Sequence, residues 1–398
     1  MTKVLIISGP LGLGHVGREI EIAKELRRID PKVEIIWYAE EPASAVLIDA
    51  GEPTPFFFPQ PLMATAMAEK QERDDMTLNL HAFFLEWRKT FPEKVAYQTK
   101  LIKEQNVDIV IGDEAMELML AISKHPELKQ FKFLYLTDFF GSYQVTHKPM
   151  QLMATWIFNK GWSNFMEHPE MYERYIHIGE KEDVKDMRMG LFLPNRKDLA
   201  EKYIDFVGPI LNFNPADYAD QATIKKQLGY DSHPLVVCTG GGSSAALPLF
   251  RRCAEAYPLV KKEIPDLEMD LVMGPRIAPS SIPAHDGLKV RGYVPDLYRN
   301  LAASDLSITT AGGATTLELT ALQRPFLYFP FKEHFEQINE VVPRLERCHA
   351  GVKMDFSQAS PEVLAKAIID HLGEKVQYPC MSLDGAKKTA EMVHEVAN

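Results

Sequence analysis

The sequence has little of what a disulfide scaffold, a zinc site or a membrane span would need. Four cysteines occur in 398 residues: Cys238, Cys253, Cys348 and Cys380. None forms a CxxC pair and none has a histidine at metal-ligand spacing, which excludes a zinc ribbon and predicts buried, reduced thiols. No apolar run is long enough to cross a bilayer. The chain opens directly on a strand pattern, without the basic and apolar regions of a secretory signal. These absences point to a cytoplasmic protein, with peripheral contact at the inner face of the membrane left open. Positive charge is scarce as well: 44 Lys and Arg stand against 55 Asp and Glu, a net charge of -11, which argues against nucleic acid as a partner. No DxD pair stands at a strand end to hold magnesium. The expectation is therefore no metal and no resident cofactor.

What is present suits a globular protein: 46% hydrophobic and 25% charged residues, in a chain too long for one ordinary core. Short apolar runs alternate with helical patterns. Val4 to Ser8, Val33 to Tyr38, Asp108 to Gly112 and Phe133 to Leu136 read as strands. A helix over Arg18 to Ile29 carries Ile20, Ala23 and Leu26 on one face. The second half repeats this grammar, with strands at Leu235 to Cys238, Met269 to Met273, Leu288 to Val290, Asp305 to Thr309 and Pro325 to Phe329. Such alternation implies parallel sheets with crossover helices, in two doubly wound α/β domains. The expected division is 1–205, 206–375 and a helical tail over 376–398 that packs back towards the N-terminal domain. Residues 53–70 and 143–166 are rich in Phe, Met and Trp. They fit core, an apolar acceptor site or a patch resting on lipid.

The first strand runs into Ser8-Gly9-Pro10-Leu11-Gly12-Leu13-Gly14-His15-Val16-Gly17. Gly9 and Gly14 match the start of a P-loop, but His15 and Val16 stand where it requires Lys and Ser or Thr, so that reading fails. Gly12, Gly14 and Gly17 satisfy GxGxxG, with Glu40 placed to take a ribose, so a dinucleotide site stays open. A third reading makes His15 a general base, with Asp113 holding its tautomer from the next strand end. Against it stands the simpler role of a histidine that packs the turn.

The second half carries two strand–glycine-loop–helix units, Thr239-Gly240-Gly241-Gly242-Ser243-Ser244 and Gly312-Gly313-Ala314-Thr315-Thr316. Each offers backbone N–H groups and a positive helix end to a pyrophosphate. Glu318, one turn into the second helix, is placed to accept from ribose hydroxyls. Residues 290–340, with Gly292-Tyr293-Val294-Pro295, the second glycine loop and Glu336-Gln337-Ile338-Asn339, resemble the donor signature of GT-B glycosyltransferases. The likeness is to the UDP-glucuronosyl/UDP-glucosyltransferases and to family 28, the MurG-like and monogalactosyldiacylglycerol synthase-like group. Phe206-Val207-Gly208-Pro209 resembles the family's interdomain segment. Leu271-Val272-Met273-Gly274-Pro275 resembles its mid-domain strand, and the loop ending at His15 resembles the family-28 GGTGGH loop.

The resemblance implies two Rossmann-like domains facing across a cleft, acceptor on the first and donor on the second. It implies that Val294 meets the base through its backbone. Gly241, Gly242, Ser243, Gly312, Gly313, Ala314, Thr315 and Thr316 would meet the phosphates, and Glu318 the ribose. Glu336 and Gln337 would hold sugar hydroxyls, with Glu where the family has Asp. Arg276 completes the donor set, Gly12 and Gly14 the acceptor-side loop. His15 matches the family's loop histidine. Asp113 matches the activating aspartate of UDP-glucosyltransferases, which the MurG-like enzymes lack. The implied activity is inverting, metal-independent transfer of a hexosyl group from a nucleoside-diphosphate sugar, a UDP-sugar by resemblance, to a small or lipid-linked acceptor hydroxyl. An epimerase or hydrolase of the same fold, a non-catalytic nucleotide-sugar-binding partner and, more remotely, an NAD(P)-dependent oxidoreductase stay open.

Overall fold

The computed structural model describes residues 1–9, 13–57, 64–230, 232–242, 244–283, 285–379 and 381–398. They fall into two compact units. The first comprises Met1–Lys70, Leu80–Asn212 and Met381–Asn398; the second comprises Gln71–Asn79 and Phe213–Cys380.

The first unit is built on six strands: β1 (Lys3–Ile7), β2 (Glu34–Tyr38), β5 (Ile109–Asp113), β6 (Lys132–Thr137), β7 (Arg174–His177) and β8 (Asp205–Phe206). Their order is β2-β1-β5-β6-β7-β8, and every pairing is parallel. A parallel sheet is covered on both faces, so its strands are continuously apolar rather than alternating. Val4, Leu5, Ile6 and Ile7 are accordingly all buried. Helix α1 (Gly14–Ile29) follows β1 and buries Val16, Ile20, Ala23 and Leu26 against the sheet. Each such side chain removed from water is worth roughly 1.5–3 kcal/mol. The same core takes in Ala390 and Val393 of the last helix, Gly385–Ala397, so the chain's end returns to the first unit.

One expectation changes. The helix starts at Gly14, not Arg18, which brings Gly14, His15 and Gly17 into it. Glycine opposes helix, but the fully buried Val16 anchors the first turn in the core, and tertiary burial outweighs local propensity.

The second unit holds β9 (Leu235–Thr239), β10 (Glu268–Val272), β11 (Leu288–Arg291), β12 (Leu306–Thr310), β13 (Phe326–Phe329) and β14 (Val352–Lys353), again all parallel. The order β11-β10-β9-β12-β13-β14 is the doubly wound arrangement. The hairpin β3 (Glu72–Arg73) and β4 (Thr77–Leu78) also belongs to this unit. Its backbone is tied to Lys332 by bonds from Leu78 N (3.0 Å) and to Met76 O (2.8 Å). Two-residue strands carry no periodicity, so the sequence pattern does not show them. Cys238, Cys253 and Cys348 are buried free thiols; Cys380 lies outside the described residues.

Candidate active site

In open parallel sheets ligands bind outside the carboxyl ends of the strands, where the strand order reverses. That point is β1/β5 in the first unit and β9/β12 in the second. His15 and Asp113 lie at the first of these points, and the two glycine loops leave the strands of the second.

In the first unit His15 occupies the second position of α1, and Asp113 ends β5. Their nearest atoms, His15 Nδ1 and Asp113 Oδ2, are 3.2 Å apart. Gly9 makes room for the ring: a β-carbon there would lie 2.3 Å from Nδ1. Its N–H donates to Glu19 Oε1 at 3.0 Å. Glu114 follows with φ 52, a left-handed backbone unusual for this residue type, stored beside the site. Gly12 lies outside the described residues; Gly14 is exposed at the start of α1.

The sequence reading missed Arg18. It is buried, donating from Nε to Asp113 Oδ2 (2.9 Å), from Nη2 to Asp113 Oδ1 (2.6 Å) and from Nη1 to Asp138 Oδ2 (2.8 Å). Nη2 also lies 2.7 Å from His15 Nδ1. The signal was an arginine three residues beyond the histidine, on one helix face, had the helix been started at Gly14. Burial opposes the charge of Asp113, but the Arg18 guanidinium outweighs it and holds the carboxyl well below its usual range. Asp138 is lowered in the same way, against burial, by Arg18. Glu19, fully buried with Asp113 nearby, is pushed well up by burial and by that like charge. Among the described residues, His15, Asp113 and Glu114 place ligand atoms within 4.8 Å of one another, the spacing of a cation site. Both oxygens of Asp113 are already engaged by a fixed guanidinium.

Glu40, the candidate ribose acceptor of the dinucleotide reading, pairs with the buried Lys94 and accepts from Ala64 N at 3.4 Å. Its carboxylate is committed within its own unit.

In the second unit the two glycine loops leave neighbouring strands, β9 and β12. Gly241 has φ 72 and is exposed, and Gly242 is half-buried beside it; Ser243 lies outside the described residues. The loop is packed closely from below. A β-carbon on Gly274 would lie 2.7 Å from Gly241 O, so the end of β10 can approach only as glycine. Ser244 Oγ, next along, donates to Glu72 Oε2 of the β3–β4 hairpin at 2.6 Å.

The second loop opens the helix Gly313–Ala321, with Gly312 at its N-cap and no side-chain cap. The N–H groups of Gly313, Ala314 and Thr315 therefore have no intrahelical acceptor, the usual condition for an anion site. Thr316 is placed differently from the sequence reading. Its hydroxyl donates back to Gly312 O (2.9 Å) and Gly313 O (3.1 Å), and its N–H already bonds Gly312 O. The cradle is thus backbone from Gly313 to Thr315, with the half-buried Thr315 side chain.

Glu318 sits on the same helix, half-buried and enclosed by protein, and burial pushes its carboxyl up to about 8. Val294 and Arg276 are half-buried, and Val294 packs on the unit's core. Gln337 is buried; its Oε1 accepts from Phe331 N at 2.8 Å, which leaves its amide N–H₂ end for other partners. It opens a π-helical turn, Gln337–Val341, with Glu336 half-buried just before it. Such turns are frequent at functional sites.

The aromatic segments divide between two roles. In the helix Pro149–Met166, Trp162, Phe165 and Met166 are core. Met150, Leu152, Met153 and Ile157 face outward, up to 71% exposed, while Gln151, Thr155 and Asn159 point in. Leu191 and Phe192 join this apolar face: Trp156 Nε1 donates to Leu191 O at 2.9 Å. Of residues 53–70, Ala64, Met67 and Ala68 are buried and Phe57 is exposed; 58–63 lie outside the described residues. Among the described residues no helix is long and apolar enough to cross a membrane.

Residues 235–396 match the model of the glycosyltransferase family 28 C-terminal domain. An uncharacterized glycosyltransferase of Methanopyrus kandleri is 28% identical over 190 residues, 47% of this chain and about half (53%) of that one. The UDP-N-acetylglucosamine–N-acetylmuramyl-(pentapeptide) pyrophosphoryl-undecaprenol N-acetylglucosamine transferase of Clostridioides difficile is 24% identical over 94% of this chain and 82% of its own. Among solved structures, the S. aureus MnaA–UDP complex covers 100% of this chain and 97% of its own, with a TM-score of 0.63 and 12% identity, a likeness of fold.

Proposed function

We propose that this chain is a family-28 glycosyltransferase that transfers a hexosyl group from a UDP-sugar to an acceptor hydroxyl, with inversion and without a metal. One observation carries the reading. Two glycine loops leave neighbouring strand ends of the second unit, and the second of them opens the helix that carries Glu318. Backbone N–H groups and helix dipoles stabilise the leaving diphosphate as its charge develops. Glu318 accepts from the ribose hydroxyls, and Glu336 and Gln337 hold the sugar. Uracil is supported by the donor in the name of the Clostridioides relative and by the UDP of the MnaA complex.

His15 takes the acceptor proton as the hydroxyl attacks the anomeric carbon. The new bond forms as the bond to the diphosphate oxygen breaks on the opposite face, which inverts the centre. A neutral imidazole suits this step near neutral pH. The apolar face of Met150, Met153, Ile157, Leu191 and Phe192 is read as a surface for a lipid-linked acceptor at the membrane.

The test is a metal-free thermal-shift screen with UDP, dTDP, GDP and NAD(P). A ligand at a hundred times its Kd adds about 2.7 kcal/mol. A shift with UDP supports the donor site, whereas a shift with NAD(P) alone overturns it. Free sugar or an epimer formed from UDP-sugar alone would move the reading to a hydrolase or epimerase.

A further inference from the structure

His15 Nδ1 has two neighbours that cannot both be its hydrogen-bond partners. Asp113 Oδ2, at 3.2 Å, can only accept, so that bond needs a proton on Nδ1. Arg18 Nη2, at 2.7 Å, can only donate, so that bond needs Nδ1 bare. The guanidinium keeps its protons at any ordinary pH.

The donor inventory of Arg18 decides between them. Nε–H goes to Asp113 Oδ2, and one Nη1–H goes to Asp138 Oδ2. Nη2 has two hydrogens: one points to Asp113 Oδ1 at 2.6 Å, and the second has His15 Nδ1 as its acceptor at 2.7 Å. A proton on Nδ1 would set N–H against N–H at that distance. Asp113 meanwhile has a full side-on pair with Arg18 and needs nothing from the imidazole.

We infer that Arg18 sets the tautomer of His15, holding Nδ1 as an acceptor so that the proton resides on Nε2 in the free protein. The 3.2 Å approach of His15 to Asp113 is then the meeting of two acceptors around one guanidinium. Arg18 acts through His15 and is a positioning residue. The inference rests on the reading of His15 as the base and adds a condition to it. Nε2 gains a lone pair only when Nη2 releases Nδ1. The ring then turns to the Nδ1–H form, with Asp113 Oδ2 as acceptor. Arg18 can keep its bonds from Nε to Asp113 and from Nη1 to Asp138 while Nη2 withdraws. Nε2–H in the resting form has Glu114 Oε2 nearby, at 4.0 Å.

The test is long-range ¹H–¹⁵N correlation NMR of the full chain with ¹⁵N-labelled histidine, without ligand and at mildly alkaline pH. The chain has 12 histidines, and the spectrum of His15→Ala assigns the relevant ring. The expected pattern is a bare Nδ1 and a protonated Nε2. A protonated Nδ1 in the wild-type protein overturns the inference. Arg18→Met is expected to move the proton to Nδ1. Because that change strands the buried Asp113 and the half-buried Asp138, Arg18→Met with Asp138→Asn serves as its better-balanced companion. An unchanged tautomer in a folded variant also overturns the inference. Transfer by His15→Ala is read separately. If transfer persists while Nε2 is protonated in the wild type, the base reading fails and the tautomer assignment stands.

Discussion

Gly9 and His15 are in such close approach that the glycine has no room for a side chain: a β-carbon would lie 2.3 Å from Nδ1 and 2.5 Å from Cγ. The neighbour is not a flexible tip but a ring wedged against Arg18 and Asp113. The loop glycine therefore fixes where the imidazole sits.

Gly9→Ala is expected to displace the ring and lower kcat by roughly a hundredfold, the usual cost of an ångström of misplacement. UDP affinity should stay within about twofold, because the substitution is confined to the first unit. Calorimetry with UDP beside a transfer assay separates the two. Wild-type turnover in the variant would show that His15 takes no part in the chemistry.

Glu318 links the proposed donor site to pH. Its folded-state value, up to about 8, stands above the ordinary 4.5. Through that window the folded chain keeps a proton that the unfolded chain has released. Stability therefore falls as pH rises from about 4.5 to about 8. Glu318→Gln should flatten that descent and raise the melting temperature above pH 8 relative to the wild type. Above pH 8, where Glu318 is ionised, the same variant should bind UDP about tenfold more weakly, the equivalent of one charge-assisted hydrogen bond, and the difference should shrink as pH falls below 8. Parallel melting curves for the two proteins across this range would refute the assignment.

Glu72 accepts from Ser244 Oγ at 2.6 Å beside the first glycine loop. A carboxylate near a diphosphate cradle opposes the ligand's charge, by on the order of 1 kcal/mol in a solvent-accessible setting. Glu72→Gln should thus tighten UDP about fivefold, with the gain shrinking at high salt. Weaker binding in the variant would mean that the hairpin's charge orders the loop instead of opposing the donor.

Met153 and Ile157 are 60% and 49% exposed on a helix whose polar Gln151, Thr155 and Asn159 are buried. Met153→Ser with Ile157→Ser should leave the melting temperature nearly unchanged. It should also reduce co-sedimentation with anionic vesicles about tenfold or more, since each buried methylene contributes about 0.8 kcal/mol. Equal sedimentation of both proteins would remove this face from the membrane reading.

Much of this molecule was written in local chemistry. Continuous apolar runs such as Val4–Ile7 and Leu235–Cys238 dictate buried parallel strands, because such segments cannot leave either face to water. Glycine followed by a helix marks Gly313–Thr315 as a candidate anion cradle, because a helix start leaves its first N–H groups unpaired whatever surrounds it. Asp113 could be named because it ends an apolar run, and His15 because it closes the glycine loop that follows one.

What joins them was decided by the tertiary structure. Arg18 became part of the site only because Val16 buries the first turn of α1 and swings residue 18 beneath β5 and β6, far away in sequence. Glu318 acquires its raised value from the protein packed around it, and Thr316 spends its hydroxyl on its own helix. Residues 71–79 join the second unit through backbone bonds to Lys332, which no side-chain pattern announces. The physical reason is the same in each case. Periodicity and turn chemistry are set by neighbours along the chain, whereas desolvation, charge pairing and tautomer are set by neighbours in space.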